Sequence, residues 1–463
     1  MMKANRRVPN IVLILADDMG YGDFSRFNSG RSSTPVLDGL MGEGISFSQH
    51  YAASPVCAPA RAALLTGRYP HRTGVIDTLE ARGTDRLALG ETTLADALQR
   101  TGYRTGLVGK WHNGAIDPRY HPNRRGFDHF VGFRGGWQDY WDWRLERNGV
   151  PFLGDGRYLT NVLTEEAIRF VRDAARGPFF LHVAYNAPHF PFQAPAGVVD
   201  QFRSEGRSET VSTIYGMISE MDRGVGALLE VLDELGLADD TIVMFSSDNG
   251  PQLDGEGDRS TVRFNCGLAG QKMLVFDGGI RVPMVVRWPG RVAAGSESSA
   301  FVHAMDWFPT ILDVLDQPTS ARLDGRSLAP ALVGEGVVED VDRYWQWTRY
   351  VPDGRSNAAM RRGGWKLVLP PIDGTLTLDA RDQECDERIK RHPEEFSEPI
   401  NSPIPDYGEL APKNPLLFNL DDDPRETRDL SSNHPSLVSE MVSSLESWFE
   451  SVELERRSIH DLS

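Results

Sequence analysis

Cysteine is scarce in this chain: three residues in 463, Cys57, Cys266 and Cys385. An odd number with no metal-ligand spacing argues against a disulfide framework and fits a reducing compartment. Long apolar runs are absent too. None approaches the roughly 20 residues that a membrane-spanning helix needs, so no membrane anchorage is expected. Positive charge is in deficit, with 49 Lys and Arg against 66 Asp and Glu and a net charge of −17. There is no sustained basic stripe, and with the net charge this argues against nucleic acid as a partner. Internal repeats and low-complexity tracts are also missing. The start, Met1-Met2-Lys3-Ala4-Asn5-Arg6-Arg7, is basic enough for a signal n-region. The apolar segment behind it is short and runs straight into Asp17-Asp18, so it reads as a first core strand and the chain is expected to be cytoplasmic.

What is present is a large core-forming chain of 51.5 kDa with 40% hydrophobic residues. That predicts one large domain, residues 1–340, and a smaller one, 341–463. Strand and helix alternate through the first part. Thr34-Pro35 opens a helix closing near Gly44, Thr92 to Arg100 forms another with Gly102 behind it, and Arg104 to Gly109 reads as a strand. Glu209 to Leu235 is a long amphipathic stretch, and Met305 to Leu315 a further helix. Such alternation predicts a parallel or mixed α/β sheet covered on both faces. Beyond about residue 340 the character changes. Gly363 to Leu369 and Leu416 to Leu420 read as strands, and Ser436 to Glu455 as a helix. Between these strands lies a Pro- and charge-rich excursion, 370–415, too long for an ordinary loop. It suits a substrate mouth, a subunit contact or a surface insertion without function.

Two apolar, β-branched runs end in oxygen ligands. Asn10 to Ala16 delivers Asp17-Asp18 into a glycine-loosened turn, and Thr241 to Ser247 delivers Asp248-Asn249-Gly250. Such pairs either cap turns or bind a hard divalent cation, Ca²⁺ or Mg²⁺, in preference to zinc. In open α/β sheets, sites form beyond the carboxyl ends of strands, where both pairs fall. The third element is Cys57-Ala58-Pro59-Ala60-Arg61, running into Ala62-Ala63-Leu64-Leu65-Thr66-Gly67-Arg68. Pro59 suits a first turn, so position 57 is predicted to open a helix whose amides and dipole favour an anion.

Together these segments resemble the type I, formylglycine-dependent sulfatases, the arylsulfatase-like branch of the alkaline phosphatase superfamily. Three more blocks carry the resemblance: Gly109-Lys110-Trp111-His112, Asn186-Ala187-Pro188-His189, and Lys272 ahead of Gly278-Gly279-Ile280-Arg281-Val282-Pro283. It covers essentially the whole chain, most clearly residues 10 to 290. Ala60 departs from the serine frequent in that family, while Cys, Pro and Arg are kept.

The resemblance implies an alkaline-phosphatase-like large mixed sheet with a small C-terminal antiparallel sheet and helix. It implies that a maturation enzyme oxidises Cys57 to Cα-formylglycine, whose hydrated aldehyde attacks sulfur. Asp17, Asp18, Asp248, Asn249 and residue 57 would hold the cation. Arg61 and Lys110 would hold the formylglycine oxygens, His112 would be the base for sulfate elimination, and His189 and Lys272 would contact the sulfate and protonate the leaving oxygen. These cations would also offset the global negative charge for an anionic substrate. Trp137 to Trp143 and Trp345 to Tyr350 are aromatic clusters suited to an aryl group or sugar ring at the mouth. Aryl, alkyl and saccharide sulfates stay open as substrates, and so does an oligomeric state. Two other readings remain: a phosphate or phosphonate ester hydrolase of the same superfamily, and a sulfated-ligand-binding protein whose Cys57 is never matured.

Overall fold

A computed structural model describes residues 8–460, apart from 205, 335, 337 and 406–409. The basic start at Met1 to Arg7 therefore lies outside the described residues. The core of the fold is a ten-stranded mixed sheet. Its centre is five parallel strands in the order Thr241–Ser247, Asn10–Ala16, Phe179–Ala184, Arg104–Lys110 and His129–Phe133. The hairpin Arg144–Arg147 and Val150–Leu153 closes one edge, and Met284–Arg287, Ile45–Phe47 and Ser296–Ser298 close the other.

Alternation of side chains sorts the central strand between two apolar layers, as the twofold period of a strand requires. Val12, Ile14 and Ala16 pack beneath the helices Leu159–Ala174 and Glu209–Glu234, while Ile11, Leu13 and Leu15 face Cys57–Thr66, Leu94–Arg100 and Trp307–Val314. Burial on both faces explains why these strands read as continuous apolar runs.

The predicted helices lie at Pro35–Glu43, Leu94–Arg100, Glu209–Glu234, Trp307–Val314 and Pro435–Arg456. Thr93 caps its helix as a capping box with Asp96. At Pro35–Glu43 the side chain of Thr34 makes no such bond. Asp222, on the long helix, accepts instead from the Val36 and Leu37 amides at 3.0 and 2.8 Å. That cap is tertiary, and local sequence could not show it.

The C-terminal strands Arg343–Gln346, Ala358–Arg362, Trp365–Leu369 and Leu416–Asn419 form a separate antiparallel sheet. Met441, Leu445, Trp448 and Val452 of the last helix cover one face of it, together with Tyr69 and Met305 of the large unit. The excursion 370–415 is not structureless. It contains a three-turn helix, Ala380–Arg391, whose N-cap Asp379 accepts from the Arg381 and Asp382 amides. Arg82 grips Asp382 through two bonds of 2.9 Å, and the Ala81 amide donates to Asp386.

Candidate active site

The carboxyl ends of four adjacent parallel strands bring the site together. Asp17 and Asp18 follow Asn10–Ala16, Asp248 and Asn249 follow Thr241–Ser247, Lys110 ends its own strand, and His189 lies five residues beyond Ala184. In register, Ala16 faces Ser247 and Gly109 faces Ala184, so the four ends sit level. Gly109 has φ +112, and a Cβ there would stand 1.9 Å from the Ala184 carbonyl oxygen, so only glycine admits this close strand approach. Asp18 adopts φ +65. It is pinned there by its amide donating to Asp248 Oδ1 at 3.2 Å and by Arg263 donating to its carbonyl at 3.2 Å. Arg263 also grips Asp23, which in turn accepts from the Gly20 amide. This arginine fixes the turn, and sequence reasoning missed it.

Cys57 is the first residue of the helix Cys57–Thr66, every residue of which is buried. Its Sγ and one oxygen each of Asp17 and Asp248 lie within 4.8 Å of one another, and Asp17, Asp18 and His189 form a second such group. One helical turn on, Arg61 donates from Nε and Nη2 to Asp248 Oδ2 at 3.0 and 2.7 Å. Lys110 Nζ meets Asp17 Oδ2 at 2.6 Å, and Lys272 Nζ meets Asp18 Oδ2 at 2.6 Å. His189 places Nε2 3.7 Å from Asp18, with Nδ1 on the Phe190 carbonyl at 2.6 Å. His112, at φ +52, sets Nε2 3.2 Å from the Thr78 carbonyl and 3.6 Å from Glu80, and its Nδ1 is buried without a partner. All ten residues singled out from the sequence thus converge on one spot.

Burial and the Asp248 carboxylate push Asp17 up to about 8, because the acids are packed more tightly than Lys110 and Arg61 offset. Burial alone would raise Asp18 as well, but Lys272 and His189 hold it well below the usual carboxylate range. Burial pushes the Cys57 thiol up against the pull of Lys110 and Lys272, so the encoded side chain is a poor thiolate. Burial followed by Lys110 lowers His112, and burial followed by Lys272 lowers His189.

The donor set fits a hard divalent cation. Asp17 Oδ1 and Asn249 Oδ1 are buried oxygens with no hydrogen-bond partner, and Asn249 donates its amide to Asp18 at 2.7 Å. Orphaned carboxylate and amide oxygens clustered in this way suit Ca²⁺ or Mg²⁺.

Above Cys57 opens a cavity of about 540 Å³. His112, His189 and Lys272 line its floor, and Trp137, Phe190 and Arg349 its rim. The aromatic clusters divide here. Trp143, Trp345 and Trp347 are buried packing, whereas Trp137 stands edge-on to the exposed Phe190 with centroids 5.6 Å apart. The insertion helix supplies one wall through Gln383, Asp386, Glu387 and Lys390. Lys390 reaches inward to both Glu80 and Asp386. No apolar pattern marked Glu80 or this wall, and the charge-rich composition of 370–415 was the one available signal.

The mixed sheet with helices on both faces and the small antiparallel sheet behind it define an alkaline-phosphatase-like fold. The chain belongs to the sulfatase family. The family profile described as Sulfatase matches residues 9–317, and that described as N-sulphoglucosamine sulphohydrolase, C-terminal, matches residues 269–369. The chain is 36% identical over 357 residues to the N-acetylgalactosamine-6-sulfatase of Homo sapiens and 34% identical over 380 residues to the uncharacterized sulfatase YdeN of Escherichia coli (strain K12). Each alignment takes in 70% of this chain and 66% of the relative, so the chain spans about two thirds of their length. Among solved structures, Ps i-CgsB in complex with k-i-k-neocarrahexaose superposes with a TM-score of 0.80 at 32% identity, over 96% of this chain and 93% of that one.

Proposed function

We propose that this protein hydrolyses a sulfate ester of a saccharide to the free alcohol and inorganic sulfate, using a formylglycine made from Cys57 and a divalent cation. The observation that carries this reading is the cluster of Cys57 Sγ with Asp17 and Asp248 at a helix start, ringed by Arg61, Lys110 and Lys272. The saccharide component is supported by the relatives, since one is named N-acetylgalactosamine-6-sulfatase and a superposable structure is in complex with k-i-k-neocarrahexaose.

Asp17, Asp18, Asp248, Asn249 and residue 57 would hold the cation, which supplies neutralisation of the nonbridging sulfate oxygens. Matured residue 57 supplies a hydrated aldehyde as nucleophile, which the maturation enzyme must install beforehand. The chain's own groups do the rest. Arg61 clamps Asp248 so that its carboxylate stays fixed beside residue 57, and Lys110 holds Asp17 in the same way. His112, with Nδ1 free of any protein partner, takes the proton when sulfate is eliminated. Lys272 and His189 line the cavity beside Asp18, where both would contact the sulfate, and the proton for the departing alcohol would come from Lys272 Nζ, since the Phe190 carbonyl holds the His189 proton on Nδ1. The N-terminal amides of Cys57–Thr66 add donors toward the anion.

Two measurements test this. Protein made alongside a formylglycine-generating enzyme should show the thiol of the Ser32–Arg61 tryptic peptide replaced by an aldehyde. That protein should then cleave 4-nitrophenyl sulfate faster than 4-nitrophenyl phosphate. A reversed rate ratio would move the reading to a phosphate or phosphonate ester hydrolase, and an intact thiol with no turnover would move it to a sulfated-ligand-binding protein.

A further inference from the structure

We infer that the insertion helix Ala380–Arg391 builds a subsite for the hydroxyl-bearing edge of a sugar ring that carries no second anionic group there, with Gln383 and Glu387 facing Arg349 across the cavity. The inference rests on the saccharide sulfate reading above and adds which saccharides the site admits.

The argument begins with position. Gln383 and Glu387 are four residues apart, hence on one helix face, and both line the cavity that opens over Cys57. Both side chains are exposed, and Gln383 Nε2 donates to Glu387 Oε1 at 3.3 Å. The helix they stand on is fixed, because its neighbouring side chains Asp382, Asp386 and Lys390 are buried in ion pairs with Arg82 and Glu80 and a hydrogen bond from the Ala81 amide. Arg391 adds a tie to the rim, its guanidinium lying 5.6 Å over Trp137.

Charge then sets the preference. Arg349 is spoken for by Asp77 at 2.9 Å, and Lys390 is shared between Glu80 and Asp386. Among the described residues, no lysine, arginine or histidine forms an ion pair with Glu387. Around this wall four carboxylates (Asp77, Glu80, Asp386 and Glu387) therefore stand against three cations (Arg349, Lys390 and Arg391), and Glu387 is the carboxylate without an ion-pair partner among the described residues. The floor has the opposite tendency, with Arg61, Lys110 and Lys272 already matching Asp17, Asp18 and Asp248 before any divalent cation is counted. A substrate is thus sorted by polarity, with sulfate toward the floor and neutral hydroxyls toward the wall.

The hydrogen-bonding capacity agrees. Glu387 and the Gln383 carbonyl accept from ring hydroxyls, while Arg349 stacks on Trp347 at 5.0 Å and can donate. The Trp137–Phe190 lip offers apolar surface to the carbon-hydrogen face of the same ring. A sulfate or carboxylate on that edge would meet the uncompensated Glu387 carboxylate, so discrimination works by repulsion as well as by contact.

The test uses matured full-length protein and three probes: 4-nitrophenyl sulfate, N-acetylgalactosamine 6-sulfate and N-acetylgalactosamine 4,6-disulfate. Glu387→Gln and Gln383→Ala alter exposed side chains outside the catalytic floor. Each is expected to leave kcat/KM for the aryl sulfate within about twofold and to lower that for the monosulfated sugar, mostly through KM, by about tenfold for Glu387→Gln, which loses a charge-assisted hydrogen bond, and about threefold for Gln383→Ala, which loses a neutral one. Glu387→Lys is expected to raise the disulfated-to-monosulfated ratio at least tenfold. Unchanged ratios in an enzyme that cleaves both sugars would overturn the subsite alone. Wild-type turnover of the aryl sulfate with neither sugar accepted would overturn the saccharide reading and the subsite with it.

Discussion

The floor of the cavity hangs from strands whose neighbours are hydrocarbon on both faces, whereas the wall helix Ala380–Arg391 buries Asp382, Asp386 and Lys390 with Ile389 as its apolar anchor. Apolar burial is additive and forgiving, contributing roughly 25 cal/mol per Å² wherever carbon leaves water. Buried ion pairs contribute little net stability, because desolvation offsets attraction, yet losing one partner strands a charge. The floor is therefore strongly held and tolerant of small changes. The wall is precisely placed but fragile, an arrangement suited to a surface that selects substrates without carrying the chemistry.

That contrast can be broken at four positions. Cys57→Ala removes the residue at the centre of the floor and is expected to cut sulfatase kcat/KM by at least about a thousandfold, in line with the loss of an essential nucleophile. Its thermal melt should stay close to that of the parent, since the helix and the strand ends around it are unaltered. A variant retaining more than a tenth of wild-type activity would refute the role of position 57.

Lys390→Met strands Glu80 and Asp386 and is expected to cost about 3–5 kcal/mol at the wall. Leu181→Ala, in the strand beneath the floor, is expected to cost about 2–5 kcal/mol to the whole fold. The two should differ in kind. Lys390→Met should speed limited proteolysis within 370–415 and weaken saccharide turnover with little change in the global melt. Leu181→Ala should lower the melt without exposing the insertion first. Equal proteolysis patterns in the two variants would erase the distinction between wall and floor.

The smallest effect is a pH dependence under the wall. Asp85 accepts from the Gly114 and Ala115 amides, and burial, followed by the nearby Asp386, pushes it from 3.8 up to about 6. Because the folded value lies above the unfolded one, its stabilising contribution is complete below about 3.8 and is lost as pH rises through about 6. Asp85→Asn should remove this part of the fall in stability between pH 4 and 7, an effect of less than about 3 kcal/mol. Parallel stability profiles for the variant and its parent over that range would refute the shift.

The same physics explains what was legible. The strands ending at Ala16, Ala184 and Ser247 announce themselves because two-sided burial demands unbroken β-branched and apolar runs. The residues just past them were then easy to single out as candidates. The insertion helix, with the sequence Ala-Arg-Asp-Gln-Glu-Cys-Asp-Glu-Arg-Ile-Lys-Arg, shows no apolar stripe because its buried face is charged. Its spacing of Asp382, Asp386 and Lys390 at four-residue intervals is a helical period written in ionic residues, which a search for hydrophobic periodicity passes over. Arg263 was invisible for a related reason. An arginine in a polar loop looks solvated until its partners Asp18 and Asp23, about 240 residues away in sequence, are brought to it.

From sequence alone came the central strands, the helix opening at Cys57, the small C-terminal sheet and the list of groups that meet at the floor. The strands and the helix start rest on local chemistry, namely apolar runs, turn residues and helix-start signals, whereas the small sheet and the full list of floor groups rest on the resemblance to the sulfatases. Tertiary structure alone decided that Asp222 caps a helix on another segment, that Arg61 clamps Asp248, and that Lys390 joins Glu80 and Asp386 beneath a wall of the cavity. Those pairings depend on which charges the folded chain desolvates together. Charge pairing at long sequence separation leaves no periodic trace in the chain, whereas hydrocarbon burial does.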